Sequence, residues 1–306
     1  MIRSYLRCLA VFILASGMLA SVCYAEAGRP ELGFHDESRF DRHPVQARLV
    51  FDRSDLSAGG PLTAAIVLQM DDHWHTYWEF SGDAGLPTKL EWQLPQGIEA
   101  GPLQWAGPTR YTESGDLTVF GYADKVVLLT PLTVAGDAAL SPDDDLTVQV
   151  SWLVCADICI PGDTTLSVRL DHLTSNDVDA GLIEDARQHL IKPWSAEDDA
   201  RVSLAATVRV TDAGHLDVAV ELQSTVVDGG LPDLYPSEPV GTYIEANARQ
   251  ATATGARVQF RVVPYVGESR PTRMGVVVAI ADAQGRMQYR RTQIELTPAS
   301  SVDLFA

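Results

Sequence analysis

Hydrophobic and polar residues alternate along several short stretches of the chain. In LTVQVSWLV (146–154) every second residue from Leu146 is apolar, and Thr147, Gln149 and Ser151 occupy three of the four positions between them. A period of two residues is typical of a strand with one buried face. The same alternation occurs in TLSVRL (165–170), VSLAATVRV (202–210) and HLDVAVEL (215–222).

Turn signals separate neighbouring runs of this kind. TDAG (211–214) lies between two of the runs, and AQG (283–285) lies between GVVVAIAD and RMQYRRTQIEL. Short Gly-containing segments between alternating runs predict hairpins. Repeated short strands joined by such turns predict an all-β fold of antiparallel sandwiches rather than a parallel sheet.

One segment, SNDVDAGLIEDARQHLI (175–191), has helical periodicity. Ser175 and Asn176 are candidate N-caps, and Pro193 follows the end of the segment. The helix separates two strand-rich regions, so we place the domain boundary there. The apolar positions expected to face the core are Val178, Leu182, Ala186 and Leu190. The expected organisation is a first sandwich at 44–172, a helical linker at 173–199 and a second sandwich domain at 200–306.

The start of the chain predicts export. Arg3 and Arg7 precede an apolar run that ends near Val22, and small residues follow, which is the pattern of a signal peptide cleaved near Ala25. An alternative interpretation makes Cys23 the lipid-bearing residue of a lipoprotein. Residues 26–43 are polar. The mature protein is therefore expected in an oxidising compartment, the bacterial periplasm.

The charge of the chain limits its partners. The sequence has 23 basic and 41 acidic residues, and the predicted signal removes two arginines and no acids, which leaves 21 − 41 = −20. Such an excess of negative charge argues against nucleic acid and anionic membrane surfaces as partners. It is consistent with a solvated acidic surface.

Cys155 and Cys159 form the remaining cysteine pair once the first thirty residues are set aside. On one continuous strand they would lie about 13 Å apart, which is beyond the reach of a disulfide. The strand must therefore end between them, at a hairpin tip or in the bend that leads into one near PGD (161–163). Parity places Cys155 on the face of Gln149 and Ser151, so we expect an accessible sulfur there.

Three kinds of chemistry fit such a pair. A bridge that closes so short a loop restrains the unfolded chain by only about 2 kcal/mol, which favours reversible redox chemistry over a structural staple. Cu(I) binding stays open, although two thiolates do not complete a zinc site. His73 and His75 alternate on a predicted strand and are taken as polar-face residues. Hydrolase, nucleotide and dinucleotide motifs are absent from the sequence, so no cofactor and no metal are assigned.

Four motifs together resemble a known family. The chain is similar, in the same order along the sequence, to the N-terminal periplasmic module of the DsbD/ScsB thiol:disulfide interchange proteins. The resemblance covers about residues 44–172, with a looser likeness of the second region to the ScsB type. The motifs are DDHWHTYWEFSGDAGLPTKLEWQLPQG (71–97), LQWAGPTRY (103–111), FGYADKVVLLTPL (120–132) and SWLVCADICIPG (151–162).

The resemblance implies an immunoglobulin-like sandwich in which Cys155 and Cys159 cycle between dithiol and disulfide. It also implies an aromatic cap loop at the position of Trp105 and Tyr111, and an aromatic residue, Tyr77, beside the cysteines. Asp157 lies between the cysteines, where its charge would oppose a thiolate and raise the thiol pKa.

The partners implied by the resemblance are thioredoxin-like periplasmic proteins. The transmembrane electron-transfer and thioredoxin-like domains of the family have no counterpart in this sequence. A separate membrane protein is therefore expected to supply electrons to a protein-disulfide reductase component. The alternative is a non-enzymatic periplasmic binding module that handles Cu(I) in copper tolerance or serves as an assembly adaptor. A bridge that merely pins a hairpin is the third interpretation.

Overall fold

The computed structural model describes residues 42–53, 62–174, 176–225, 231–282 and 284–298, with the side chain of Ala246 left out. The predicted signal peptide and almost all of the polar segment after it lie outside these residues. The candidate cap Ser175 and the turn residue Ala283 lie outside them as well. In the described part of the chain, no helix is long and apolar enough to cross a membrane.

The first sandwich consists of two sheets. Its described strands are β1 (Val45–Phe51), β2 (Leu62–Met70), β3 (His75–Gly82), β4 (Lys89–Gln93), β5 (Ile98–Ala100), β6 (Thr109–Glu113), β7 (Leu117–Ala123), β8 (Lys125–Val134), β9 (Asp145–Cys155) and β10 (Cys159–Arg169). One sheet has the order β1-β2-β8-β5, and the other has the order β10-β9-β3-β7-β6 with β4 paired to β9. All pairs among these strands are antiparallel, as the sequence predicted.

The second sandwich also has two sheets. Its described strands are β11 (Lys192–Pro193), β12 (Val202–Val210), β13 (Leu216–Ser224), β14 (Asp233–Pro236), β15 (Thr242–Ala251), β16 (Gly255–Pro264), β17 (Arg273–Ala281) and β18 (Met287–Glu295). The sheet orders are β11-β18-β17-β14 and β12-β13-β16-β15. The short β11 runs parallel to β18, and the other pairs are antiparallel. The predicted all-β fold is confirmed.

Burial follows the alternation that the sequence shows. On β9 the residues Leu146, Val148 and Val150 are fully buried, whereas Gln149 between them is exposed. The buried face of β9 packs with residues of β2, β3 and β7 in the main core cluster of the first sandwich. Removing such apolar surface from water is the main force that holds the sheets together.

The two sandwiches share this core cluster. On β17 the side chains of Val276 and Val278 pack inside the second sandwich. Val277 and Ala279 point the other way and pack, together with Tyr235 of β14, into the core cluster of the first sandwich. The sheet that contains β17 is therefore buried on both faces, which explains why the sequence there is apolar without interruption. The described residues from His43 onward belong to one compact unit.

The predicted helix is present as α1 (Asp177–Gln188), shorter than the expected 175–191. The Asn176 side chain caps it, because its Oδ1 accepts a hydrogen bond of 2.9 Å from the N–H of Asp179. The predicted apolar face is partly wrong, since Val178 is 79% exposed and Ile183 is the fully buried residue. The helix packs against β1 and β8, so it covers the outside of the first sandwich. Its role as a linker between two domains stays a prediction.

Two short helical elements complete the connections around α1. A 3-10 turn, Leu170–His172, follows β10, and α2 (Ala196–Asp199) precedes β12. Ser195 and Asp198 form a capping box at the start of α2, which satisfies two backbone N–H groups that the short helix leaves free.

Candidate functional site

Cys155 and Cys159 face each other at the tip of the β9–β10 hairpin. β9 ends at Cys155 and β10 begins at Cys159, and the two residues are paired directly across the ladder. Their sulfurs are joined by a disulfide of 2.06 Å, and their Cα atoms lie 4.1 Å apart. The predicted end of the strand between the cysteines is confirmed. The segment 161–163 does not form the turn but lies inside β10, opposite residues 151–153.

The two cysteines differ in exposure. Cys155 is only 1% exposed, whereas Cys159 is exposed to solvent. Parity correctly placed Cys155 on the outer face of β9, but the prediction of an accessible sulfur is wrong. A small cluster of apolar residues covers that face. It consists of Tyr77, Val119 and Cys155, with Ala84, Tyr111 and Leu153 packed against them. We call this group the outer cluster.

A polar network lies beside the outer cluster. His75, the first residue of β3, is paired with Cys155 across the ladder. Its Nε2 lies 2.8 Å from Oε1 of Glu113, and the Tyr77 hydroxyl donates a hydrogen bond of 2.6 Å to the same oxygen. The His75 ring stacks on Tyr111 at a centroid distance of 5.2 Å and meets Tyr77 edge to face at 5.3 Å. The carboxylate of Glu113 thus fixes the side chains that surround Cys155.

Burial keeps the phenols of Tyr77 and Tyr111 neutral, and the Glu113 carboxylate adds to this effect at Tyr77. Burial raises the pKa of Tyr77 far above its usual range, and the hydrogen bond to Glu113 raises it further. Burial also raises the pKa of Tyr111. Tyr77 therefore stays a hydrogen-bond donor at any physiological pH, and it holds the Glu113 oxygen in place.

The predicted site residues are distributed over two parts of the first sandwich. Tyr77 and Tyr111 belong to the outer cluster. Asp157 is exposed in the three-residue loop between the cysteines. Trp105 packs instead against the main core cluster, and its carbonyl accepts a hydrogen bond of 3.1 Å from the N–H of Ile191. Its role as a cap stays a prediction.

Sequence reasoning missed two members of the site. His75 was taken as an ordinary polar-face residue, and Glu113 was not considered. The signal was present, because His75 and Tyr77 alternate on one strand while Tyr111 and Glu113 alternate on another. His73, by contrast, lies outside the strand in a turn with a φ of 71°.

The segment SGDAGLP (81–87), which comprises the end of β3 and the loop after it and is called the loop 81–87 below, also covers the outer cluster. Ala84 packs against the cluster, and Pro87 forms a bridge with Tyr77. Gly85 has a φ of 98°, and a Cβ at this position would lie 2.2 Å from Cε1 of Tyr77. Glycine is therefore required at residue 85 both by the backbone conformation and by the close approach of the Tyr77 ring.

We expect Gly85→Ala to lower the free energy of unfolding by about 2 to 5 kcal/mol, because backbone strain and a clash with a buried ring add together. Gly115→Ala is the matched control, since Gly115 also has a positive φ of 86° but nothing within 4 Å of an added Cβ. The control should lose only about 1 to 2 kcal/mol. Equal losses in denaturant unfolding would show that the ring contact does not hold the loop.

The described residues contain no group of three or more His, Cys, Asp or Glu side chains arranged to hold a metal ion. Two soft thiolates could still bind Cu(I) once the disulfide is reduced. The arrangement that is present supports thiol–disulfide exchange, since one sulfur of the bond belongs to an exposed residue and the other is enclosed.

The comparisons with known proteins support a thiol:disulfide interchange module. Residues 43–170 match the family model described as "Thiol:disulfide interchange protein DsbD, N-terminal". The match confirms the resemblance of residues 43–170 to the DsbD N-terminal module, which the four sequence motifs had indicated. No curated protein matches the chain.

Solved structures extend the likeness to the second sandwich. The N-terminal periplasmic domain of ScsB from Proteus mirabilis is 19% identical, with a TM-score of 0.63 over 83% of this chain and 95% of that chain. At this identity the match shows a common fold, and it extends well beyond residues 43–170. The YadV chaperone (11% identity, 82% and 100% coverage) and a conserved domain protein from Bacillus anthracis (10%, 84% and 89%) have TM-scores of 0.21 and 0.18, too low to indicate a shared fold.

Proposed function

We propose that this protein exchanges electrons with thioredoxin-like partners in the periplasm through reversible opening of the Cys155–Cys159 disulfide. The observation that carries the proposal is the disulfide of one exposed and one buried cysteine at a hairpin tip of a DsbD N-terminal module. N-terminal domains of the DsbD family interact with thioredoxin-like proteins, which supports the kind of partner and the compartment.

The difference in exposure assigns a role to each cysteine. In the reduced protein, the Cys159 thiolate attacks the disulfide of the partner, and the partner's leaving sulfur takes up a proton. The Cys155 thiolate then attacks Sγ of Cys159, forms the internal disulfide and releases the second partner thiol. Two electrons pass to the partner in this sequence, and the reverse sequence reduces the protein.

The surroundings of the cysteines restrict this reaction to docked partners. Tyr77 and Tyr111 shield Cys155 from small reagents, and Glu113 fixes both Tyr77 and His75 beside it. The negative charge of Asp157, in the loop between the cysteines, opposes thiolate formation in the unbound protein. Slow reaction with oxidants in solution and faster reaction with a partner are the expected result.

A separate membrane electron-transfer protein supplies the electrons in this proposal, and the protein then acts as a protein-disulfide reductase component. Export by the signal peptide at 1–25 brings it to the periplasm. Both statements rest on the sequence and on the family, since neither the signal nor a partner is among the described residues.

Mixing the oxidised protein with a reduced thioredoxin-like protein tests the exchange. We expect the Cys155 and Cys159 thiols to appear as the partner loses its own pair, as followed by alkylation and mass spectrometry of the peptide that contains both cysteines. An equal concentration of glutathione thiols should react more slowly, because glutathione does not dock on the hairpin. Reduction by dithiothreitol together with no transfer from several thioredoxin-like proteins would contradict the proposal.

A Cu(I)-handling module would behave differently in the same preparation. The reduced protein would bind one Cu(I) tightly, and the Cys155→Ser variant would lose that binding. Tight binding of this kind together with absent electron transfer would favour the alternative function.

A further inference from the structure

Strand β6 touches the cysteine site with one face and the second sandwich with the other. Tyr111 points to the outer cluster and stacks on His75. The neighbouring residue Arg110 points the opposite way, as alternation along a strand requires. Its Nε and Nη2 donate hydrogen bonds of 3.1 and 3.0 Å to the two carboxylate oxygens of Asp233, and Nη2 also donates to the Leu234 carbonyl at 2.8 Å.

The contact of Arg110 with the second sandwich is largely buried. The side chains of Arg110 and Asp233 are 15% and 14% exposed. The guanidinium lies 5.0 Å from the ring centroid of Phe120 and 5.6 Å from that of Tyr235, so aromatic rings of both sandwiches contact it. A two-pronged, partly desolvated pair of this kind fixes geometry more firmly than a surface ion pair.

The loop 81–87 is tied to the second sandwich as well. The N–H of Thr118 donates a hydrogen bond of 2.8 Å to the Asp83 carboxylate, and the N–H of Asp83 donates to the Thr118 carbonyl at 2.8 Å. The Thr118 hydroxyl in turn donates a buried hydrogen bond of 2.8 Å to the Asn247 carbonyl of β15. Ala84, the residue after Asp83, packs against the outer cluster.

The second sandwich therefore contacts the supports of both segments that cover Cys155. We propose that it is a positioning element for the cysteine pair: Asp233 holds β6 and Asn247 holds the loop 81–87, so that Cys155 stays enclosed and Cys159 alone faces the partner. This inference rests on the proposed function, because enclosing Cys155 matters only if Cys159 reacts with a partner. The enclosure itself can be measured without any partner.

The direct test compares the alkylation rates of Cys155 and Cys159 in the fully reduced protein. A short pulse of iodoacetamide is followed by fragmentation of the peptide that contains both residues. We expect Arg110→Gln to raise the rate at Cys155 relative to Cys159 by about tenfold or more, since hydrogen bonds to a charged group stabilise a closed state by at least that factor. The alkylation rate of Cys159 in the same molecule is the internal reference, because it corrects for differences in iodoacetamide concentration and pH.

A second variant, Thr118→Val, allows the test to be made even if Arg110→Gln does not fold. Thr118→Val removes the hydroxyl that donates to the Asn247 carbonyl but keeps the backbone hydrogen bonds to Asp83. It should also raise the ratio of the Cys155 alkylation rate to the Cys159 rate, by about threefold to tenfold. Glu79→Gln is the matched control. Glu79 of β3 pairs with Arg291 of β18 across the same two sandwiches, and neither residue belongs to β6 or to 81–87.

The outcomes separate this inference from the proposed function. The positioning role would be overturned if the alkylation rate of Cys155 relative to Cys159 were unchanged in the folded variants. An equal rise of this ratio in Glu79→Gln would overturn it as well. Failure of the wild-type protein to exchange electrons with thioredoxin-like proteins would contradict the proposed function and leave the alkylation result intact.

Discussion

Replacement of Cys155 by serine is expected to trap a mixed disulfide between Cys159 and a thioredoxin-like partner. Cys159 is exposed at the hairpin tip, so a partner sulfur can reach it, whereas Cys155 is 1% exposed beneath Tyr77 and Tyr111. Without the Cys155 thiol the mixed disulfide cannot be resolved, and turnover should stop completely.

The reciprocal variant supplies the control for this trap. Cys159→Ser leaves only the enclosed Cys155, so the yield of mixed disulfide should fall to a few per cent or less, or about a hundredfold below that of Cys155→Ser. Non-reducing electrophoresis followed by mass spectrometry of the linked peptide measures both yields. Equal trapping by the two variants would show that exposure does not decide which cysteine reacts.

Phe120→Ala is expected to lower the free energy of unfolding by about 3 to 5 kcal/mol. Phe120 is fully buried where the sandwiches meet. Its ring lies 5.2 Å from that of Tyr235 and 6.4 Å from that of Trp78, in edge-to-face contacts. Truncation leaves a cavity and also removes the ring that Arg110 contacts.

The matched control, Tyr265, is an exposed aromatic residue of the second sandwich. Tyr265 is 53% exposed, and its ring contacts Tyr243 at 5.7 Å. Tyr265→Ala should cost about 1 kcal/mol or less, as expected for a surface position. Denaturant unfolding of both variants gives the comparison. A loss below about 1 kcal/mol for Phe120→Ala would mean that the sandwiches do not share a packed core.

Local patterns were sufficient to predict the strands and the hairpin that carries the cysteines. The alternation in 146–154 corresponds to β9, and the alternation in 202–210 corresponds to β12. The spacing of Cys155 and Cys159 required a break in the strand, and the structure has that break between β9 and β10. These predictions succeed because a period of two residues and a short covalent distance are local properties of the chain.

Features that depend on tertiary contacts could not be predicted in the same way. Parity showed which face of β9 carries Cys155 but not that Tyr77 and Ala84 would cover that face, since the cover comes from β3 and a distant loop. Glu113 can be recognised as a partner of His75 only when two strand pairings are known, that of β3 with β7 and that of β7 with β6. Similarly, the burial of β17 on both faces follows from docking of the second sandwich, which no local pattern encodes.

The helix illustrates how a periodic pattern can be right about the element and wrong about its face. A strict spacing of four residues predicted that Val178 faces the core, but Val178 is exposed. An α-helix has 3.6 residues per turn, and in the structure Ile183 is the buried residue. The position of Trp105 could not be predicted from local patterns either. It contacts Ile191 and the main core cluster, whose residues lie far from it in the sequence.

The reduction potential of the Cys155–Cys159 pair tests the central claim most directly. Equilibration of the protein with a series of glutathione or dithiol buffers, followed by alkylation of free thiols, gives this value. We expect a fully reversible transition at a potential less negative than roughly −300 mV, as required of a pair that exchanges electrons with periplasmic partners. A bond that stays oxidised below roughly −300 mV would identify a structural bridge and contradict the account.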